Sequence, residues 1–298
     1  MLTIFGTIAL DTTRTLFHTE ERIMGGAATY AALAASKYIP TNIVGVVGYD
    51  FPNEHKKTLI EKINTKGIVY DNKKKTFHFD STFNEDFSIR TANKTELNAI
   101  ENFEPVIPDE YKKSRYVYLA NNDPIQNLKI LELFEEPKLV IFDTIRFWIE
   151  NKYHDIFKMF KKVNGVIIND EEAKLLTKNY NLLKCGQIIK DEGPEFVVIK
   201  KGEHGSLLFY NDMIFTSPAF PIKNIVDPTG AGDCFAGGFL GYIAKTRKVN
   251  EEILRKAVVN GNLMGSFAVE EFGIKKILDI DENDISKRYQ QYTEYTKF

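Results

Sequence analysis

Hydrophobic and polar positions follow two different rhythms along this chain. Short runs at Leu2–Phe5, Ile43–Val47, Tyr116–Leu119, Leu139–Phe142, Val166–Ile168 and Val197–Ile199 are apolar almost throughout, as strands buried on both faces require. Between several of them lie stretches with helical spacing, such as Ala27–Lys37, His55–Lys66 and Glu171–Thr177. Strands that alternate with helices predict βαβ units and an α/β fold, a doubly wound and mostly parallel sheet. One segment departs from this rhythm. From Lys74 to Ile100 the residues alternate with period two, as in Thr76-Phe77-His78-Phe79-Asp80, around a turn at Asn84-Glu85-Asp86. That predicts a β-hairpin. Phe77, Phe79 and Phe83 share one face of its first strand, and His78, Asp80 and Thr82 the other. On the returning strand Phe87 and Ile89 lie on one side, Ser88 and Arg90 on the other. The expected organisation is a single domain over residues 1–298 with a small β lid inserted at 68–103.

Composition narrows the partners. Lysine plus arginine number 39 against 41 aspartate plus glutamate, a formal charge of −2. No global positive field exists to collect phosphates, which argues against nucleic acid as a partner. No apolar run approaches the roughly 20 residues that span a bilayer, so no membrane is expected. The start MLTIFGTIALD lacks a basic region and a small-residue cleavage site, and reads as a first strand. Two cysteines, Cys185 and Cys234, rule out a disulfide framework and suit a cytoplasmic setting. With five scattered histidines they also leave no zinc cluster.

The densest chemistry lies at Asp227-Pro228-Thr229-Gly230-Ala231-Gly232-Asp233-Cys234-Phe235-Ala236-Gly237-Gly238. Small residues make a turn, and the apolar run to Lys245 predicts a buried helix after it. Gly230, Ala231 and Gly232 carry almost no side chain, so an anion can approach their backbone N–H groups at a helix N-terminus. Asp233 falls in the first turn, where the helix dipole favours its ionised form. Amides that stabilise a transferring group, beside a carboxylate that accepts a hydroxyl proton, suit phosphoryl transfer to an alcohol. The same residues also describe a tight turn with an acidic helix start. Competing nucleotide motifs are absent: there is no Gly-Lys dipeptide and no G-x-G-x-x-G.

This stretch resembles the C-terminal signature of the ribokinase/PfkB family of carbohydrate kinases, and the resemblance runs along nearly the whole chain in order. It implies a ribokinase-like fold, ATP and Mg2+, and Asp233 as the base. Gly25-Gly26-Ala27-Ala28-Thr29-Tyr30 resembles the family's sugar-site motif, with Tyr30 where an asparagine is common. Paired glycines before a helix also serve plain helix–sheet packing. The resemblance implies that Asp11 grips sugar hydroxyls, and that Asp143 and Arg146 border the substrate beyond a central strand. A surface ion pair is the other use of Arg146. Asn169-Asp170-Glu171-Glu172 resembles the family motif in which the glutamate organises magnesium through water, and it also spells a helix capping box. Lys200, Gly202 and Gly205, with Asn262 and Gly265, resemble the nucleotide pocket. Asp227 and Thr229 match positions that border a monovalent cation, K+, in several relatives.

The implied function is transfer of the γ-phosphoryl group of ATP to a hydroxyl of a sugar or sugar-like substrate. Two alternatives stand beside it: a nucleoside kinase of the same fold, with Tyr30 stacking on a base, and a catalytically silent sugar-binding or regulatory protein. The hairpin is expected to close over the sugar site and to contribute to a homodimer. Arg90 is its candidate for reaching a substrate anion, or is a solvated charge.

Overall fold

Thirteen strands are present among the described residues of the computed structural model, 1–16, 18–87 and 89–297. They are β1 (Leu2–Phe5), β2 (Ala9–Arg14), β3 (Thr19–Gly25), β4 (Thr41–Val47), β5 (Asn64–Tyr70), β6 (Phe77–Phe83), β7 (Arg90–Glu96), β8 (Tyr116–Leu119), β9 (Leu139–Phe142), β10 (Gly165–Asn169), β11 (Phe196–Lys200), β12 (Ser206–Tyr210) and β13 (Met213–Ser217). The larger sheet has the order β13-β12-β11-β10-β9-β8-β1-β4-β5. From β11 to β5 every pair is parallel, and only the pairings of β12 with β11 and with β13 are antiparallel.

Side chains along a strand alternate between faces, and each face of this sheet has its own core. In β8, Tyr116 and Tyr118 join Leu2 and Ile4 beneath the helices Ala27–Ser36, Ala231–Thr246 and Glu251–Ala268. Val117 and Leu119 point the other way, with Phe5, Phe142 and Phe160. Continuous apolar runs are therefore a consequence of burial on both sides. The helix Ala231–Thr246 approaches Ala27–Ser36 so closely that a Cβ on Gly237 would lie 2.3 Å from the Ala31 carbonyl oxygen.

Two differences from the expected elements have physical causes. The helix expected to reach Lys66 ends at Lys62, and Asn64–Tyr70 becomes an edge strand. Its Gly67-Ile68-Val69-Tyr70 favours an extended pleat over a helix. The lid is also larger than a hairpin. β6 and β7 pair antiparallel, but β6 also pairs parallel with β2, and β2 antiparallel with β3, giving a second sheet of order β3-β2-β6-β7. A lone hairpin is marginal in water, and these extra strands supply the partner that it lacks.

Within the hairpin, β7 begins only at Arg90. Phe87 takes a left-handed φ of 59° in the turn, and Ser88 lies outside the described residues. Arg90 is directly opposite Phe83, so it shares the aromatic face. No helix among the described residues is long and apolar enough to cross a membrane.

Candidate active site

A cavity of about 550 Å3 lies beyond the carboxyl ends of the parallel strands, between the large sheet and the lid. Open α/β sheets bind ligands at this edge, because the loops after the strands converge there. β9, β10 and β11 deliver Asp143, Glu172 and Lys200 to one end of it; the lid delivers Asp11, Phe79 and Arg90 to the other.

The turn before Ala231–Thr246 borders both ends. Gly230 adopts φ 76°, ψ −2° as the residue preceding the helix, a left-handed conformation that glycine takes without strain. A Cβ there would lie 2.5 Å from the Tyr30 ring, so turn and aromatic side chain are in close contact. Asp227 braces the turn with both oxygens: Oδ1 accepts the Thr229 N–H at 2.9 Å and Oδ2 the Gly273 N–H at 3.2 Å. The Ala231 N–H, expected to face an anion, donates instead to the Pro228 carbonyl at 3.3 Å. The helix has not yet supplied an acceptor four residues back. The amides of Gly230, Gly232 and Asp233 have no backbone partner among the described residues and are the donors left for an anion.

Electrostatics at this end are set by three carboxylates around one ammonium. Lys200 Nζ donates to Asp143 Oδ2 at 3.0 Å, and the Tyr118 hydroxyl donates to the same oxygen at 3.0 Å. The Thr144 N–H holds Asp143 Oδ1 at 2.7 Å. Burial pulls the Lys200 ammonium down, but Asp143, Glu172 and Asp233 together hold its pKa above the usual value. Burial drives Asp233 up to about 7, reinforced by Asp143 and opposed by Lys200 and Arg90. Glu172 is raised to about 8, chiefly by burial and by Asp143. Its Oε2 accepts the Asn169 N–H at 3.1 Å, and Asn169 Oδ1 accepts the Glu172 N–H at 2.8 Å. The capping box is formed, and both residues also line the cavity.

At the lid end, Asp11 Oδ2 accepts the Gly26 N–H at 3.3 Å, and burial raises its pKa to about 7. A Cβ on Gly25 would fall 2.0 Å from that oxygen, so the paired glycines make room for the carboxylate. Arg90 lies over the Phe79 ring at 4.7 Å and the Phe83 ring at 5.3 Å, with its Nε donating to Ser81 Oγ at 3.1 Å.

The cavity thus gathers Asp11, Gly26, Tyr30, Arg90, Asp143, Asn169, Glu172, Lys200, Thr229, Gly230, Gly232 and Asp233, residues far apart in the chain. Others stand apart. Arg146 is at the rim, 71% exposed, and pairs with Glu150 at 2.8 Å one helical turn on. Asn262 spends its amide on Ser217 Oγ at 2.8 Å and the Pro218 carbonyl at 3.1 Å. Gly265 packs against the Ala231 carbonyl, while Gly202 and Gly205 form the turn after β11. None of these last four borders the cavity. Missed by the sequence reading were Thr7, Asn121 and Thr144, each two residues past a strand end, and the lining by Phe77 and Phe79. Their signal was a polar residue closing an apolar run.

Comparison with known proteins gives this arrangement relatives. The family model described as pfkB family carbohydrate kinase matches residues 7–280. The cytidine kinase of Thermococcus kodakarensis is 30% identical over 261 residues, 84% of this chain and 91% of that protein. The nucleoside kinase of Methanocaldococcus jannaschii is 25% identical over 255 residues, 84% and 80% of the two chains. Among solved structures, that nucleoside kinase superposes with a TM-score of 0.78 at 20% identity, covering 97% and 98% of the chains. A Vibrio cholerae fructokinase with fructose, ADP and calcium bound gives 0.79 at 18%, with the same coverage. At such identities the superpositions show a common fold.

Proposed function

This chain belongs to the pfkB family of carbohydrate kinases, phosphotransferases with an alcohol acceptor, and we propose that Asp233 is the base that takes the acceptor's hydroxyl proton. The observation that carries the reading is the half-buried Asp233 carboxyl at the helix start, next to unused backbone amides and facing Lys200. A carboxyl titrating near neutrality is matched to proton transfer at physiological pH. The attacking oxygen passes its proton to Asp233 as it bonds to the γ-phosphorus of ATP, and ADP leaves with the electron pair of the broken bond. The Gly232 and Asp233 amides and Lys200 stabilise the negative charge on the phosphoryl oxygens in flight.

The residues fit a divalent cation. Glu172 and Asp233, both raised by burial, are carboxyl groups that would ionise when a cation arrives beside them. Glu172 and Asn169 would hold Mg2+ through its waters, where it supplies neutralisation of the phosphate charge. K+ beside Asp227 and Thr229 is tested by the ratio of rates in potassium and sodium salts.

The chain is a sugar or nucleoside kinase. We assign its acceptor to the nucleosides. Asp11 offers a carboxylate for sugar hydroxyls, while Phe77, Phe79 and Trp148 line the same cavity with aromatic surface suited to a heterocycle. The similarity to a cytidine kinase over most of both chains supports this. A coupled ADP-release screen over cytidine, other nucleosides, D-ribose, D-fructose and fructose 1-phosphate tests it. The highest kcat/KM is expected with a nucleoside; a free sugar that exceeds every nucleoside tenfold contradicts the assignment.

A further inference from the structure

The lid is tied to the core by more than its chain connections. The loop after β4 places Asp50 against the point where β6 begins, and both of its carboxylate oxygens are used there. Oδ1 accepts the Thr76 N–H at 2.7 Å, and Oδ2 accepts a hydrogen bond from Arg22 Nη2 at 2.6 Å. Thr76 leads into β6, and Arg22 lies in β3. The lid has the order β3-β2-β6-β7. One carboxylate of the core therefore ties the strands on either side of β2, and β2 is the strand that carries Asp11.

The two ends of this tie are built differently. Thr76 is 1% exposed; its hydroxyl accepts the Gly48 N–H at 3.0 Å and its carbonyl accepts Asn98 Nδ2 at 3.0 Å. Gly48 approaches so closely that a Cβ there would fall 2.2 Å from the Lys75 carbonyl carbon. This end is a fixed anchor, and Phe77 of the cavity follows it directly. The other end is half-exposed, with the Arg22 side chain 46% accessible. Here β3 carries a bulge. Asp11 is opposite Ile23 but Thr13 is opposite Glu20, so Glu21 and Arg22 together face Thr12. Arg22 takes a left-handed φ of 54°, and its N–H donates to Thr12 Oγ1 at 3.3 Å. A left-handed backbone is unfavourable for a residue with a side chain. That strain is held one residue along from the Asp11–Ile23 pair, and a bulge at such a place re-aims a side chain.

Resting on the kinase reading above, in which Asp11 meets the acceptor, we propose that Arg22 and Asp50 are positioning residues whose ion pair seats β2, and with it Asp11, over the acceptor end of the cavity. The Gly26 N–H orients the Asp11 carboxyl; the ion pair fixes the strand that bears it. A half-exposed pair adds little to global stability. A substrate-binding group moved by about 1 Å, in contrast, can cost two orders of magnitude in rate. The groups assigned to ATP and Mg2+ belong to other elements, so the pair acts on the acceptor alone.

Arg22→Met keeps the stem and removes the charge; Asp50→Asn removes the charge and keeps an acceptor for the Thr76 N–H. With the better of cytidine and D-ribose as acceptor, each is expected to lower kcat/KM about tenfold, mainly through the acceptor KM. The KM for ATP should not change, and the melting temperature should stay within about 2 °C of wild type. Arg22→Lys, which can still pair, should recover most of the loss. The double variant should lose no more than either single one, because the same interaction is removed in all three. In an Asp11→Asn background Arg22→Met should add nothing, since it acts through Asp11. An unchanged acceptor KM, additive losses in the double variant, or a full further loss in the Asp11→Asn background overturns the assignment. So does a melting temperature lower by several degrees, which would make the pair structural. Titration calorimetry with cytidine and D-ribose separates this proposal from the kinase reading. Weaker binding by both single variants than by wild type, with no ADP release from any of them, refutes the reaction and supports the positioning role. Turnover with equal acceptor affinity in all three proteins refutes the positioning role and leaves the reaction standing. Wild-type protein that binds neither compound refutes the positioning role as well.

Discussion

Asp233 carries two opposing consequences of one environment. Its pKa and that of Asp11 are raised from 3.8 to about 7, mainly by burial. A carboxyl whose folded pKa exceeds its unfolded value contributes stability that is full below the unfolded value and is lost as pH rises through the folded one. Between about pH 4 and 7, then, these groups progressively destabilise the unliganded protein. Asp233→Asn removes the titration. The variant should melt close to wild type at pH 4–5 and several degrees above it at pH 8, an effect on the order of a few kcal/mol. A gap that is constant with pH would contradict the burial argument. Glu172 divides its two roles differently. Loss of the capping box alone in Glu172→Ala costs on the order of 1 kcal/mol; a role toward magnesium also raises the Mg2+ concentration for half-maximal rate. A Mg2+ dependence identical to wild type would leave the residue its cap alone. The turn around Asp233 was legible because its small residues are consecutive. Asn121 and Thr144 were not, because their neighbours in space come from other strands, and only the sheet order joins them.

At the level of elements, legibility follows burial. β1, β8 and β9 coincide with their apolar runs because both faces are covered. β3 has the sequence Thr-Glu-Glu-Arg-Ile-Met-Gly, largely exposed at its start, and its pairing with β2 leaves no apolar signature. The lid therefore appeared as one hairpin, although four strands build it. This changes the test of closure. Deleting residues 75–90 would remove β6, the strand between β2 and β7, and unravel the sheet. Arg90→Met is the cleaner probe, because it keeps the strand and most of the apolar contact with Phe79 and Phe83. If the lid closes over the acceptor through Arg90, kcat/KM should fall at least tenfold with ATP affinity intact and the melting temperature within about 2 °C, since one cation–π contact is worth about 1 kcal/mol. Wild-type kinetics would leave Arg90 a lid charge.

For the whole molecule, the larger sheet sets the reacting groups along one edge and the lid covers that edge from the other side. β7 is the outer strand of the lid, exposed from Arg90 to Thr95, and an open edge of this kind pairs readily with a second copy. We propose a homodimer through the lid; sedimentation velocity at high concentration should show it, and a persistent monomer removes it. The central claim is narrower than the assembly: Asp233 is the base of an ATP-dependent kinase. Its most direct test is coupled ADP release from folded Asp233→Asn protein and wild type, each with saturating ATP, Mg2+ and the best nucleoside acceptor. Loss of a general base predicts a kcat lower by roughly 10²–10⁴-fold with little change in ATP affinity, whereas a kcat within a few-fold of wild type would contradict the account.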